Sequence, residues 1–221
     1  MFFDRNSIYF FCQKRMGKHA HSTDFKILSR IYGKGRGWVF TPSNFQGLGS
    51  RNAIDSALKR HKKSGTIRQL ALGLYDYPRQ HPSLGLLNPT ADAIAKALAG
   101  RDATRLQPSG AYAANLLGLS DQIPMKVVFL TDGPTRSVTV GKQTITLKRT
   151  TPKNMAASGR VSGLVIQTLR HLGRRHVDDS VVTRLRQRLS TDDKKQLLKD
   201  LIYAPAWVAD VMRRIAAPGE D

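Results

Sequence analysis

Between Arg51 and Lys63 the sequence carries polar side chains at spacings that a helix would turn away from its apolar positions. These side chains belong to Arg51, Asn52, Ser56, Lys59 and Lys63. Side chains of these types hydrogen bond to base edges in the major groove and hold phosphate groups. The pattern therefore predicts nucleic-acid binding. Any polar helix face could look similar, so the prediction depends on the elements around it.

The sequence around this stretch predicts a helix pair joined by a glycine-containing turn. Apolar side chains recur at helical spacing within it, which predicts one buried stripe: Ile54, Ala57, Leu58 and His61. Ser50 is a suitable N-cap for this helix. Thr41-Pro42-Ser43 predicts the start of the helix before it, because Pro42 at the first helical position loses no hydrogen bond. Gly47-Leu48-Gly49 forms the turn between them.

A further helix and two strands complete the predicted N-terminal domain. Apolar residues from Phe25 to Ile31 indicate a first helix, and the strand Trp38–Phe40 follows a glycine-rich loop. Residues 66–71 and 74–77 have strand character around a tight turn at Leu72-Gly73. This order of elements predicts a winged helix-turn-helix DNA-binding domain over residues 23–80, with the final hairpin as its wing.

Residues outside the third helix are also candidates for DNA contact. Lys34 and Arg36 lie on the glycine-rich loop, where they could contact phosphates or simply form a solvated turn. Arg68 and Gln69 of the wing could reach a minor groove or the backbone. Tyr75 and Tyr77 could contact phosphate too, although packing on the helix is favoured. The predicted DNA-binding residues are Lys34, Arg36, Ser43, Arg51, Asn52, Ser56, Lys59, Lys63, Arg68 and Gln69.

The charge distribution favours a polyanion as partner. The 221 residues include 36 Lys and Arg against 16 Asp and Glu, a formal net charge of +20. Residues 1–82 carry +11 of it, with 15 basic and 4 acidic residues, whereas residues 83–155 carry +5 and residues 156–221 carry +4. Neutralising phosphates with such charges releases counterions and drives binding. The densest charge therefore coincides with the predicted DNA-binding domain, and double-stranded DNA is the expected partner.

The remaining chain predicts an α+β protein with further parts. Residues 1–22 are expected to form a poorly ordered leader, and residues 78–89 a proline-rich linker. Residues 88–155 alternate between helical and strand patterns, which predicts a small α+β domain. Residues 156–221 show helical periodicity alone and predict a helical C-terminal region.

Catalytic and metal-binding chemistry is not predicted. The paired carboxylates Asp178-Asp179 and Asp192-Asp193 stand at helix starts, where acids stabilise the helix dipole. His171 and His176 are five residues apart, a poor spacing for one helical face. No nucleophile, base and stabiliser converge in the pattern. We therefore expect a protein that is not an enzyme, with no catalytic residue, no metal and no cofactor.

The single cysteine, Cys12, excludes an internal disulfide and a thiolate zinc site. This composition fits a reducing compartment. No apolar run approaches the roughly 20 residues that span a bilayer. The expected location is the cytoplasm, without a membrane partner.

Two segments resemble the AbiEi-type antitoxins of type IV toxin–antitoxin systems. They are GTIRQLALGLYDYP, residues 65–78, and QPSGAYAANLLGLSDQIPMKVVFLTDG, residues 107–133. With the predicted winged helix, the resemblance covers roughly residues 24–155. It implies a bacterial repressor of its own operon that counteracts a nucleotidyltransferase-type toxin without requiring a stable complex. In that family the region after the winged helix carries the antitoxin activity.

Two other interpretations remain open at this point. The protein could be a stand-alone winged-helix transcriptional regulator without antitoxin activity, which would bind an operator and give no growth phenotype. It could also be an enzyme acting on nucleic acid with the Asp178-Asp179 and Asp192-Asp193 pairs as ligands. The lack of an acid–base constellation makes the enzyme the weakest of the three.

Overall fold

The computed structural model describes residues 22–100 and 105–217, which form two compact units divided between Pro89 and Thr90. Each unit combines helices with strands, so the predicted α+β class is confirmed. The leader predicted for residues 1–22 lies outside the described residues, apart from Ser22. We refer to the two parts as the N-terminal unit and the C-terminal unit.

Within residues 22–89, the N-terminal unit contains two helices, a short 3-10 helix, a short strand and two hairpins. Its elements are α1 (Thr23–Lys34), β1 (Val39–Phe40), the 3-10 helix Pro42–Phe45, α2 (Arg51–Lys63), β2 (Arg68–Ala71), β3 (Leu74–Asp76), β4 (Arg79–His81) and β5 (Gly85–Leu87). β3 pairs antiparallel with both β1 and β2, in the order β1-β3-β2. β4 and β5 form a separate two-stranded sheet.

Local signals explain where the two helices begin. The Ser22 side chain accepts a hydrogen bond from the Phe25 amide and begins α1, and the Ser50 side chain accepts one from Ala53 and begins α2. These caps satisfy amides that have no partner inside the helix. Gly65, with φ of 74°, leads the chain out of α2 in a backbone conformation that favours glycine.

Two local predictions were wrong. The helix expected after Thr41 is only the four-residue 3-10 turn, in which the Asn44 side chain accepts from the Thr41 amide at 2.8 Å. The linker expected over residues 78–89 contains the β4–β5 hairpin, in which His81 pairs with Gly85. Pro78 and Pro82 are tolerated in this hairpin because they flank its short strands instead of interrupting their pairing.

The core of the N-terminal unit joins both helices to the sheet. Its buried members are Ile27, Ile31, Phe40, Phe45, Ile54, Ala57, Leu58, Ile67 and Tyr77. The Phe45 ring packs edge-on against Phe40 at 5.4 Å between ring centroids. Each large side chain of this kind contributes roughly 1.5–3 kcal/mol when it leaves water. This packing fixes the side of α2 that faces inward and, therefore, the side that faces outward.

The C-terminal unit places helices on a four-stranded sheet. Its elements are α3 (Ala91–Ala99), β6 (Leu106–Ser109), α4 (Gly110–Leu116), β7 (Lys126–Thr131), β8 (Arg136–Val140), β9 (Gln143–Arg149), α5 (Pro152–Met155), α6 (Val161–Leu172), the 3-10 turn Arg174–His176, α7 (Asp179–Arg188), α8 (Thr191–Lys199), the 3-10 turn Leu201–Tyr203 and α9 (Ala206–Ala216). The strand order is β6-β7-β9-β8, with β7 and β9 parallel.

The helices from α6 to α9 share one apolar core with the end of α4. Its buried residues are Leu117, Ala157, Val165, Ile166, Leu169, Val182, Leu185, Leu189, Leu197, Val208, Val211, Met212 and Ile215. At Gly163 the helix α6 approaches the rest of the unit closely. A Cβ there would overlap the Ala157 carbonyl and the Gln107 side chain. The helical C-terminal region is thus part of the same compact unit as the α+β region.

Candidate nucleic-acid interface

Four polar side chains line the outward side of α2. Asn52, Ser56, Lys59 and Lys63 follow one another at intervals of four, three and four residues, which a helix with 3.6 residues per turn aligns in one stripe. We call these four residues the outward stripe. All four are exposed, and none makes a hydrogen bond or ion pair with the rest of the described chain.

The outward stripe lies opposite the buried side of α2. Ile54, Ala57, Leu58 and His61 are all buried, as their spacing predicts. At about 100° per residue, the centres of the two stripes are roughly half a turn apart. The packing of α2 in the core therefore directs amide, hydroxyl and ammonium groups to solvent along the length of the helix.

One flank of α2 faces the β2–β3 hairpin. The Lys62 ammonium donates to the Gln69 side chain, with 2.7 Å between Nζ and Oε1. On the same flank Arg51 pairs with Asp55, with 2.9 Å between Nε and Oδ2. Burial raises the pKa of Tyr75, and the nearby Asp55 carboxylate raises it further. Arg51 is largely exposed, so this pair is weak and leaves Arg51 able to exchange partners.

The other flank of α2 faces α1. Asp24, in the first turn of α1, accepts from Arg60 at 2.7 Å and lies 3.2 Å from Nε2 of His61. Burial lowers the pKa of His61, and this effect outweighs the neighbouring Asp24 carboxylate, which raises it. The lowered pKa favours the neutral form of His61, and Arg60 already has a partner within the protein.

Arg68, a predicted DNA-contacting residue, has partners inside the protein. Its guanidinium donates to both oxygens of the buried Asp76 carboxylate, at 3.1 and 2.6 Å. It also donates to the Leu87 carbonyl at 2.9 Å, which ties β2 to the β4–β5 hairpin. Hydrogen bonding to Asp76 raises the pKa of Arg68. These contacts give Arg68 a structural role, because leaving the Asp76 charge buried and alone would be costly.

The other predicted residues, Lys34, Arg36 and Ser43, lie outside α2. Arg36 donates to the Pro78 carbonyl at 3.1 Å and stacks over the Tyr77 ring at 4.8 Å. The Ser43 hydroxyl is 2.6 Å from that of Thr41 within the 3-10 turn. Lys34 is exposed at the end of α1 and has no ion pair within the described residues. Of these three, Lys34 alone has a side chain as uncommitted as those of the stripe.

The tyrosines of the wing pack as the sequence favoured. Tyr77 is buried in the core and Tyr75 stacks on Phe40, with interplanar angle 17°. Sequence reasoning missed Arg79, an exposed cation whose guanidinium lies against Gly37. It stands in the stretch predicted to be a linker, and its positive charge directly after Pro78 was the one signal that the sequence offered.

The carboxylates of the C-terminal unit serve local structure. Asp178 caps α7 by accepting from the Val181 amide, and Asp193 forms a capping box with Ser190 at the start of α8. Hydrogen bonds from Ser180 and the Val181 amide lower the pKa of Asp178. Asp179 pairs with Arg214. These contacts match the helix-start role that the sequence favoured over metal ligation.

A buried network surrounds Asp200 at the end of α8. Its carboxylate accepts from Arg160 at 2.5 Å, from Gln196 at 3.0 Å and from Ser162. Asp200 is 2% exposed, so these donors replace water around a buried charge. The network joins the start of α6 to the end of α8 and leaves no oxygen of Asp200 free for chemistry.

The described residues form neither a metal-binding cluster nor a membrane-spanning helix. Residues 22–100 and 105–217 contain no group of three or more His, Cys, Asp or Glu residues that could hold a metal ion. Within the same ranges no helix is long and apolar enough to cross a membrane. His171 and His176 are exposed, and the His176 ring lies 2.9 Å from the Leu172 carbonyl.

Together, the fold and the surface of α2 define an α+β protein in which one helix presents a stripe of exposed polar groups to solvent. A family model matches residues 26–197, and its family is described as one of unknown function, DUF6088. The match covers most of the chain, so the protein belongs to this family. No curated protein matches the chain.

Proposed function

We propose that the protein is a winged helix-turn-helix DNA-binding protein that represses its own operon, with α2 as the recognition helix. The observation that carries the proposal is the outward stripe of Asn52, Ser56, Lys59 and Lys63. Amide side chains read adenine edges and lysines hold phosphates, so this set matches the chemistry of a major groove. The net charge of +20, densest near this helix, adds the electrostatic attraction that such binding needs.

The elements around α2 support the same proposal. α1 holds one flank through Asp24, and the β2–β3 hairpin adjoins the other through Gln69. Both contacts fix the orientation of α2 and leave its outward stripe facing solvent, as a recognition helix requires. Lys34, exposed at the end of α1, would then supply a phosphate contact. Arg36 would add another only by exchanging its bond to the Pro78 carbonyl.

The test is binding to the DNA upstream of the chain's own gene. Asn52→Ala should weaken binding by about 1–3 kcal/mol if Asn52 contacts a base. Arg51→Ala has the same expectation. Arg60→Ala is a matched control on the same helix, because Asp24 already holds Arg60. Full-strength binding by variants at all four stripe positions would move the interface elsewhere on the molecule.

We also propose an antitoxin role for the C-terminal unit, by its resemblance to AbiEi-type proteins over residues 107–133. This segment contains α4 and β7, and the proposal assigns to their unit the action against a nucleotidyltransferase-type toxin. Co-expression with the neighbouring gene tests it. The antitoxin role fails if that gene is harmless alone, or if it stays toxic when this protein is present. Operator binding without any growth phenotype would favour the stand-alone regulator.

A further inference from the structure

An open groove of about 650 Å³ lies beside β2 in the N-terminal unit, next to the end of α2. Leu70, Leu72, Pro78 and Leu86 supply most of its apolar lining, and Lys62 stands at its rim. We call it the hairpin groove. Leu72 is 97% exposed and Leu86 is 56% exposed. Large leucines exposed together in this way mark an interaction surface.

The backbone of β2 adds a second feature to this surface. In the order β1-β3-β2, β2 is an edge strand that pairs with β3 alone. Its outer N–H and C=O groups therefore have no strand partner within residues 22–100 and 105–217. Edge strands of this kind are templates for pairing with another chain unless charge or proline protects them.

The charge pattern indicates what can occupy the surface. Residues 69–75 contain no charged side chain, and Arg68 and Asp76 on either side neutralise each other. Two copies of a chain with net charge +20 repel each other over most of their surface. They can approach closely only where such charge is absent. The two cations in the lining of the groove, Lys62 and Arg68, are held by Gln69 and Asp76, so this surface offers little to a partner attracted by positive charge.

We propose that the hairpin groove and the edge of β2 form a two-fold interface between two copies of this chain. In this dimer the two β2 strands pair antiparallel, and Leu72 of each copy enters the groove of the other. Such an interface is self-complementary, as two-fold symmetry requires. Leu72 lies next to the groove of its own copy. A single two-fold rotation therefore places each Leu72 side chain in the groove of the other copy. The use of the dimer on an operator with two half-sites rests on the proposed function.

The mass of the full chain in solution tests the dimer without DNA. Sedimentation of the wild type should show a species of twice the monomer mass of 24.5 kDa. Leu72→Glu should weaken dimerisation about tenfold or more, since each dimer carries the substitution twice and buries it. The matched control is Ile123→Glu, which alters a similarly exposed apolar residue of the C-terminal unit. Leu72 is fully exposed, so its replacement spares the fold, which circular dichroism verifies.

Three outcomes would overturn the inference: a wild type that stays monomeric at every concentration, an unchanged dimer in Leu72→Glu, or an equal loss in Ile123→Glu. A fourth outcome would also overturn it: Leu72→Glu binds a single DNA half-site more weakly while the mass of the dimer in solution is unchanged. This result would mean that Leu72 contacts DNA. Binding to DNA by a monomeric wild type defeats the dimer but not the proposed function. A dimer that ignores DNA defeats the proposed function but not the dimer.

Discussion

The outward stripe of α2 and the carboxylate pairs of the C-terminal unit both carry side chains capable of chemistry, yet they differ in what those side chains do. Asp178 and Asp193 cap helices, and Asp179 pairs with Arg214. Asn52 and Lys59 have no partner within the described chain. The difference separates carboxylates that are engaged in local structure from polar groups that remain available to a ligand, and the proposed DNA-binding site rests on that availability.

The largest effect expected from this comparison is at Asp200. Asp200→Ala removes the acceptor of Arg160, Ser162 and Gln196, and it leaves the buried Ser162 hydroxyl without a partner. We expect a loss of about 1–3 kcal/mol in the free energy of unfolding of the C-terminal unit, measured by chemical denaturation. Asp210→Ala is the control, since Asp210 forms only an exposed pair with Arg213 and should cost under about 1 kcal/mol. If Asp200→Ala and Asp210→Ala lower the free energy of unfolding equally, the Asp200 network stabilises the unit no more than an exposed ion pair does.

The next effect separates the lysines of the two units. Lys59 and Lys63 are four residues apart on α2, and Lys195 and Lys199 are four apart on α8, all exposed. Replacing Lys59 and Lys63 with alanine should lower the salt dependence of DNA binding by about two phosphate contacts. Replacing Lys195 and Lys199 should leave it unchanged. If both double substitutions change the salt dependence of DNA binding equally, the net charge of the protein drives binding and α2 is not the DNA-contacting helix.

A smaller effect is expected at a helix start. Asp193→Ala removes half of the capping box of α8 and a carboxylate near its positive dipole end. The free energy of unfolding should fall by about 0.3–1 kcal/mol. Ser180→Ala is a mild comparison at the exposed start of α7. If Asp193→Ala unfolds like the wild type but has lost an activity on nucleic acid that the wild type shows, the enzymatic interpretation of the aspartate pairs is supported instead.

The smallest effect concerns pH. Because burial lowers the pKa of His61 from 6.5, the unfolded chain binds a proton there more readily than the folded one. Stability should therefore be full above about pH 7 and fall as the pH drops through 6.5 toward the lower folded pKa. Thermal unfolding from pH 8 to pH 5.5 measures it, and His61→Leu should remove this part of the dependence. His171→Gln, at an exposed histidine, should keep it.

The parts of the fold that could be predicted from sequence depend on local signals. The bounds of α2, its Ser50 cap and its buried stripe follow from residue types at fixed spacing. The β4–β5 hairpin pairs residues only four to eight positions apart, but the prolines around its strands favoured a linker. The helix expected after Thr41 is a 3-10 helix whose Asn44 carbonyl accepts from Arg30 of α1, a contact that its own sequence does not reveal. The same limit applies to the site. The polar side of α2 was readable, but the engagement of Arg68 by Asp76 and Leu87 depends on the folded arrangement of three strands.

The close approach at Gly163 has an evolutionary consequence. No side chain larger than hydrogen fits between α6, the Ala157 carbonyl and Gln107, so substitution would force the helix away from its neighbours. Divergence in the DUF6088 family should therefore leave this position as glycine, while the outward stripe of α2 should drift with each member's target sequence. An alignment of the family would then show a constant glycine at this position, kept by purifying selection, and a variable outward stripe on α2, changed by adaptation to different targets.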